Sequence, residues 1–229
     1  VDLQSAYSLD GFTINSTSSW KNSTVISIKN TSSLFSLTNN KIICNSENST
    51  VKAIDVDSSP IKIIKNSISA LTGSSDITAI HVNSSAVIAE NTIDLVLASG
   101  SNLGIDAIGL SPIIINNSIN ANSNEQNADG IDAVLSDSSI VIGNVINARY
   151  RGIWVKDSLL SLNTVYSSNP GSYTFTFGLY LAESNVVFNN TIYTGDAGDA
   201  TYAIDLTAEN NTIDNNILFS IGSAADDKF

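Results

Sequence analysis

The sequence predicts an all-β fold, a right-handed parallel β-helix of about eight to nine coils, with roughly 25 residues and three strands per coil. Three observations predict it: two different motifs that recur with one period, and a period-two alternation inside each coil. The first motif is aliphatic-x-x-Asn-x-aliphatic, centred on Asn40, Asn66, Asn91, Asn117, Asn144, Asn163, Asn190 and Asn216. Its asparagines are separated by 26, 25, 26, 27, 19, 27 and 26 residues, so one coil is short and the rest agree. The second motif reads small, aliphatic, variable, aliphatic, as in Ala53-Ile54-Asp55-Val56, Gly130-Ile131-Asp132-Ala133 and Ala203-Ile204-Asp205-Leu206. Between the motifs, β-branched and aliphatic residues alternate with polar ones, the pattern of strands with one buried face, and helical spacing is nowhere sustained.

In chain order, residues 1–23 read as an N-terminal cap or a degenerate coil, because Phe12-x-x-Asn15 precedes Asn40 by 25 residues and Tyr7 and Trp20 supply apolar bulk. Regular coils follow over 24–218 and a tail over 219–229, all within one domain. In the coil at Ile54 the expected strands are Ala53 to Asp57, Ile61 to Lys65 and Ser67 to Ala70, with Asn66 at the corner. A corner that tight asks for left-handed backbone angles, which Asn tolerates better than most residues. Stacked about 4.8 Å apart, the corner asparagines can hydrogen-bond along the axis as an amide ladder. Simple turn preference is the alternative, but it does not explain the aliphatic residues three before and two after each Asn. The longest turns fall at Thr72 to Asp76, Asn120 to Gly130, Ser167 to Phe175 and Thr194 to Thr201. None is long enough to wall a deep cleft, which favours a binding or structural role.

The chain has 229 residues, 22 acidic against 10 basic, and a formal net charge of −12. That balance repels phosphate backbones and argues against a nucleic-acid partner. No apolar run approaches the length of a membrane span, so direct membrane insertion is not expected. Met is absent and the chain opens on Val1, as expected of a mature segment of a larger protein. The single cysteine, Cys44, follows Ile42-Ile43 and reads as core packing. Asn-x-Ser/Thr triplets, at Asn83 and Asn189 among others, are expected by chance in so Asn-, Ser- and Thr-rich a chain.

The two motifs over 24–218 resemble the parallel β-helix repeat of the pectate lyase-like superfamily, which includes pectinases, phage tailspikes and passenger domains of bacterial surface adhesins. Lyases of that superfamily combine a calcium-holding Asp cluster with an arginine base, its hydrolases use paired aspartates with Gly-His-Gly, and its epimerases carry Asp-Pro-His-Glu. Here the lone histidine, His81, sits in Ala-Ile-His-Val, and Arg149 and Arg151 are the only arginines. No complete catalytic motif is present, so no residue is assigned as catalytic and the adhesin-like members are the better likeness.

Strand alternation turns the variable residue of the second motif outward, giving the column Ser27, Asp55, His81, Asp106, Asp132, Trp154, Tyr180, Asp205. A column of Ala and Gly is expected beside it, so that the two form a shallow strip suited to an extended polymer. The candidate binding residues are His81, Asp106, Asp132, Trp154, Tyr180 and Asp205, with Arg151 nearby; exposed aromatics stack on sugars or anchor protein partners. Asp106 and Asp132, one coil apart, would carry like charges that either a calcium ion bridges or a raised pKa relieves; no other cofactor is expected. A plain solvated face is the alternative. The expected function is an extracellular or cell-surface module for adhesion, carbohydrate binding or scaffolding, its partner a polysaccharide or a host or cell-surface protein. A polysaccharide lyase, hydrolase or epimerase is the alternative, and an ice-binding role is disfavoured by the charge of the strip.

Overall fold

The computed structural model describes residues 2–3, 8–18, 22–30, 33–46, 50–72, 76–96, 100–121, 128–136, 138–169, 175–195 and 200–221. Residues 73–75, 122–127, 170–174 and 196–199 of the long turns named above, Tyr7 and Trp20 of the expected cap, and residues 222–229 of the tail lie outside the described residues. The strands form three parallel sheets of nine strands each. Sheet A contains Asp2–Leu3, Ser23–Lys29, Val51–Asp57, Ile77–Asn83, Asn102–Ala107, Ala128–Ala133, Arg151–Val155, Phe175–Leu181 and Ala200–Leu206. Sheet B contains Ser8–Asp10, Phe35–Thr38, Ile61–Ile64, Ala86–Ala89, Ile113–Ile115, Ile140–Ile142, Leu159–Ser161, Val186–Phe188 and Thr212–Asp214. Sheet C contains Thr13–Ser18, Lys41–Ser46, Ser67–Thr72, Thr92–Val96, Ser118–Ala121, Val145–Ala148, Thr164–Ser168, Thr191–Gly195 and Ile217–Ile221. One strand from each sheet makes a coil, numbered 1 to 9 along the chain. Each return to the same sheet is a parallel crossover, in the right-handed sense such connections adopt.

Equivalent residues meet along the axis. Ile26, Ile54, Ile80, Ile105, Ile131 and Ile153 are partners in sheet A, and all are fully buried. Sheet B adds Ile63, Ile88 and Ile114, and sheet C adds Ile68, Ile93 and Ile119, to one continuous core. No single coil buries enough apolar surface to offset the ordering of its own backbone, so each is stable only between neighbours. Cys44 is part of this core, in register with Ala70, and burial pushes its thiol up to about 12, which makes it a packing residue rather than a nucleophile.

The asparagine ladder is present and continuous. Asn91 Oδ1 accepts the backbone N–H of Asn66 at 2.9 Å and its Nδ2 at 3.0 Å. Asn91 Nδ2 donates to the Ile63 carbonyl at 2.8 Å and to Asn117 Oδ1 at 3.0 Å. The pattern repeats from Asn40 through Asn117, Asn144, Asn163 and Asn190 to Asn216. The expected left-handed corner, however, is not at the ladder residue. Asn39, Lys65, Glu90, Asn116, Gly143, Leu162, Asn189 and Asn215, each one position earlier, have φ between 52° and 68°. The preceding residue turns the chain while its N–H still bonds the next coil, as Lys65 does to the Ala89 carbonyl, and this leaves the ladder side chain aimed inward. The degenerate first coil also differs from expectation: Ile14 pairs with Ile42, so Phe12, not Asn15, takes the ladder position, and only its N–H joins, to Asn40 Oδ1 at 3.0 Å.

The corner between sheets A and B uses the same device with smaller residues. Ser58, Ser138, Asp157, Ser184 and Asn210 are left-handed, and buried Ser59, Ser139, Ser158 and Asn185 follow the first four. A short second ladder runs from the Ser158 N–H to Asn185 Oδ1 and from Asn185 to Asn211 Oδ1. Two stability measurements check these corners. Asn117→Ala removes hydrogen-bond partners from buried groups in coils 4 and 6 and is expected to lower the unfolding free energy by about 3 kcal/mol in urea titrations; an unchanged midpoint would show the ladder to be ornamental. Leu162→Asn, at an exposed left-handed position, is expected to raise stability by about 1 kcal/mol, whereas a loss would contradict the corner geometry.

Candidate binding strip on sheet A

The outer face of sheet A holds the predicted column in register: Ser27, Asp55, His81, Asp106, Asp132, Trp154, Tyr180 and Asp205 are successive partners, all partly exposed. Its neighbour is not the Ala and Gly column that sequence alone suggests. Ala53, Ala79 and Ala203 are fully buried, and a Cβ added to Gly104 or Gly152 would lie 2.5 Å from Ile119 Cγ2 or 2.1 Å from Val165 Cγ1. The small residues therefore point inward, where the branched side chains of sheet C leave no room for more. Two successive inward residues in each strand break the alternation, so the next outward position lies three residues earlier. A second outer column results: Lys52, Thr78, Leu103, Asp129, Arg151, Phe177 and Tyr202, again in register. Asp129 and Lys52 are the residues sequence reasoning missed, and the doubled inward pair was the signal that could have located them.

The two halves of the strip differ chemically. In coils 2 to 5 Asp55 lies 3.0 Å from Lys52 Nζ and 3.9 Å from Lys29 Nζ. His81 Nδ1 is 2.7 Å from Asp106 Oδ2, and its Nε2 is 3.9 Å from Asp55 Oδ1. In coils 6 to 9 an aromatic cluster surrounds one ion pair. Arg151 donates to both oxygens of Asp129, at 3.0 and 2.5 Å. The guanidinium carbon also lies over the rings of Trp154, Tyr150 and Tyr180, at 3.8, 4.9 and 5.9 Å from their centroids. Trp154 meets Tyr180 edge to face at 5.7 Å, and Phe177 stacks on Tyr202 at 5.3 Å. The side chains thus hold one another: the Asp129 pair fixes the guanidinium, and the guanidinium fixes Trp154. Burial pushes the Asp129 carboxyl up from its ordinary value, and Arg151 opposes that shift.

Asp132 sits at the junction of the halves, in register with Asp106 on one side and Trp154 on the other. Burial, with smaller contributions from the Asp129 and Asp106 charges, raises its carboxyl to about 6 against the hydrogen bond from the Val134 N–H. Asp205, beyond Tyr180, is also raised by burial. Asp106 is taken up by His81, and among the described residues no group of three or more His, Cys, Asp or Glu side chains is placed to hold a metal ion. No protein-family model, no curated protein and no solved structure matches the chain, so function rests on this geometry.

The Asp132 shift has a definite pH signature. A carboxyl raised in the folded state favours folding while protonated, so its contribution is full below about pH 4 and is lost as pH rises to about 6. Asp132→Asn is expected to be more stable than wild type by about 2 kcal/mol at pH 7, with the gap closing towards pH 4. Urea titrations of both proteins across this range check it; a gap independent of pH would contradict the burial of Asp132.

Proposed function

We propose that this chain is an extracellular, cell-surface glycan-binding module, in which the outer face of sheet A holds an extended, uncharged polysaccharide along the solenoid axis. The observation that carries the reading is the Arg151, Trp154 and Tyr180 cluster, prefixed by the buried Asp129 and lying in line with a polar column spaced by one coil. Partly exposed aromatic rings suit the apolar faces of sugars, and flanking carboxylates and imidazole suit their hydroxyls. A net charge of −12 and the carboxylates of the strip disfavour polyuronates, which points to neutral chains. Acidic charge and a fold stabilised by repeats rather than disulfides support a surface setting, where the solenoid also serves as a stiff spacer.

Asp132 supports a second reading, cleavage of the bound polymer: a carboxyl raised to about 6 next to the Asp106 carboxylate is in the range of a proton donor. New reducing ends or unsaturated products from wild type, absent with Asp132→Asn, would favour it over binding alone. For the principal reading, wild type is expected to bind members of a neutral glycan array, and Trp154→Ala to weaken that binding at least about tenfold with an unchanged circular dichroism spectrum. Equal binding by Trp154→Ala, or no neutral ligand for the folded wild type, would overturn it.

A further inference from the structure

The outer face of sheet B is chemically unlike the other two. Ile88, Ile114, Val141, Leu160 and Val187 face the core, so the residues on either side of each face outward. In coils 4 to 8 every one of those outward positions is apolar except Ser161. Leu110 and Leu135, 64% and 71% exposed, extend the apolar surface at the corner leading into sheet B. Parallel sheets are rarely left with a bare apolar face, and an uncharged surface on a chain of net charge −12 is the place where another molecule is least repelled.

We infer that the occupant is a second copy of this chain, docked sheet B to sheet B about a two-fold axis that runs along the strand direction at coil 6. Such an axis reverses the solenoids and sets coil 4 against coil 8 and coil 5 against coil 7 of the partner, each outward column facing itself. The relief of the face fits that operation. The column Ala89, Ile115, Ile142, Ser161, Phe188 has two hollows, at Ala89 and Ser161. The axis brings Phe188 of the second copy over Ala89, and Ile115 of the second copy over Ser161, so both hollows receive a large side chain. Shifting the axis by half a coil towards coil 5 sets hollow against hollow, and towards coil 7 sets Phe188 against Ile115 and Ala89 against Asp214; either shift loses the fit. The columns end in one charge each, Lys62 in coil 3 and Asp214 in coil 9, and the same axis sets them against Thr212 and Ile64, so no like charges meet at either end. Leu135 and Ile140, both in coil 6, meet their own copies. The face spans roughly 30 Å by 17 Å with its flanking leucines, about 500 Å² in projection and more in accessible area, close to the ~800 Å² per partner of a standard interface. Sheet A stays free in this arrangement, so the dimer would present two strips facing away from each other.

Analytical ultracentrifugation over a concentration series, with circular dichroism for each variant, tests this. Wild type is expected to dimerise, and Ile140→Lys, which sets like charges face to face on the axis, to be monomeric. Ala89→Phe and Phe188→Ala are each expected to weaken the dimer at least about tenfold, and the double variant, which exchanges knob and hollow, to restore it. Where either variant fails to fold, Ile115→Ser and Ser161→Ile, the other pair the axis brings together, replace them, weakening the dimer singly and restoring it together. A wild type that is monomeric throughout, a dimer indifferent to Ile140→Lys, a double variant that fails to recover, or a monomer that instead binds phosphatidylcholine vesicles would each overturn the proposal.

Discussion

Every feature of this molecule depends on coils lying in register, and the interaction that most directly enforces register is the buried asparagine amide. In each interior rung the Oδ1 takes two hydrogen bonds from the coil before, and the Nδ2 gives one to the next rung and one to a carbonyl of the coil before. A slip of one residue along any strand would strand these donors and acceptors inside the core, at a penalty of about 1–3 kcal/mol for each unpaired group. Apolar stacking supplies most of the stability but is indifferent to small shifts. The amides are not, so they convert a sticky stack into a single arrangement.

That register lets one chain carry three faces of different character. Sheet A is polar and aromatic, and its two columns place ionisable groups and rings at the spacing of one coil. The exposed rim of sheet C is largely Ser, Thr and Asn, with an amide chain from Asn147 through Asn120 to Asp94, before Tyr166 and Tyr193 stack at 4.7 Å. Sheet B is mostly apolar over coils 4 to 8. The short coil adds local character: only Arg149 and Tyr150 join Ala148 to Arg151, and both N–H groups bond the Ala128 carbonyl. The abrupt turn leaves Tyr150 and Arg151 at the edge of the strip, where they complete the cluster around Trp154.

Much of the fold was legible because two motifs shared one period, and the outer column of sheet A was legible because its residues vary while their neighbours do not. What stayed hidden has physical reasons. Left-handed corners fall on Lys65, Glu90 and Leu162 as readily as on Asn, because the chain pays locally for a geometry that the neighbouring coils impose. The inward orientation of Gly104, Gly130, Gly152 and Gly178 follows from the branched residues of sheet C that crowd them, a contact between distant strands that no local pattern reveals. The apolar face of sheet B was masked because Ile113-Ile114-Ile115 and Ile140-Val141-Ile142 have no alternation, so outward and core residues look alike in the sequence. The second ladder went unread because its rungs begin as serine, which marks any turn.

The central claim is that Asn side chains bind coil to coil along a single axis. Scalar couplings across hydrogen bonds, measured by NMR on deuterated, ¹³C,¹⁵N-labelled protein, report it directly. The account predicts couplings from the backbone nitrogens of Asn66, Asn91 and Asn117 to the side-chain carbonyl carbons of Asn91, Asn117 and Asn144, respectively. Couplings from those nitrogens to backbone carbonyl carbons instead, or rapid solvent exchange of the corresponding amide protons, would contradict it.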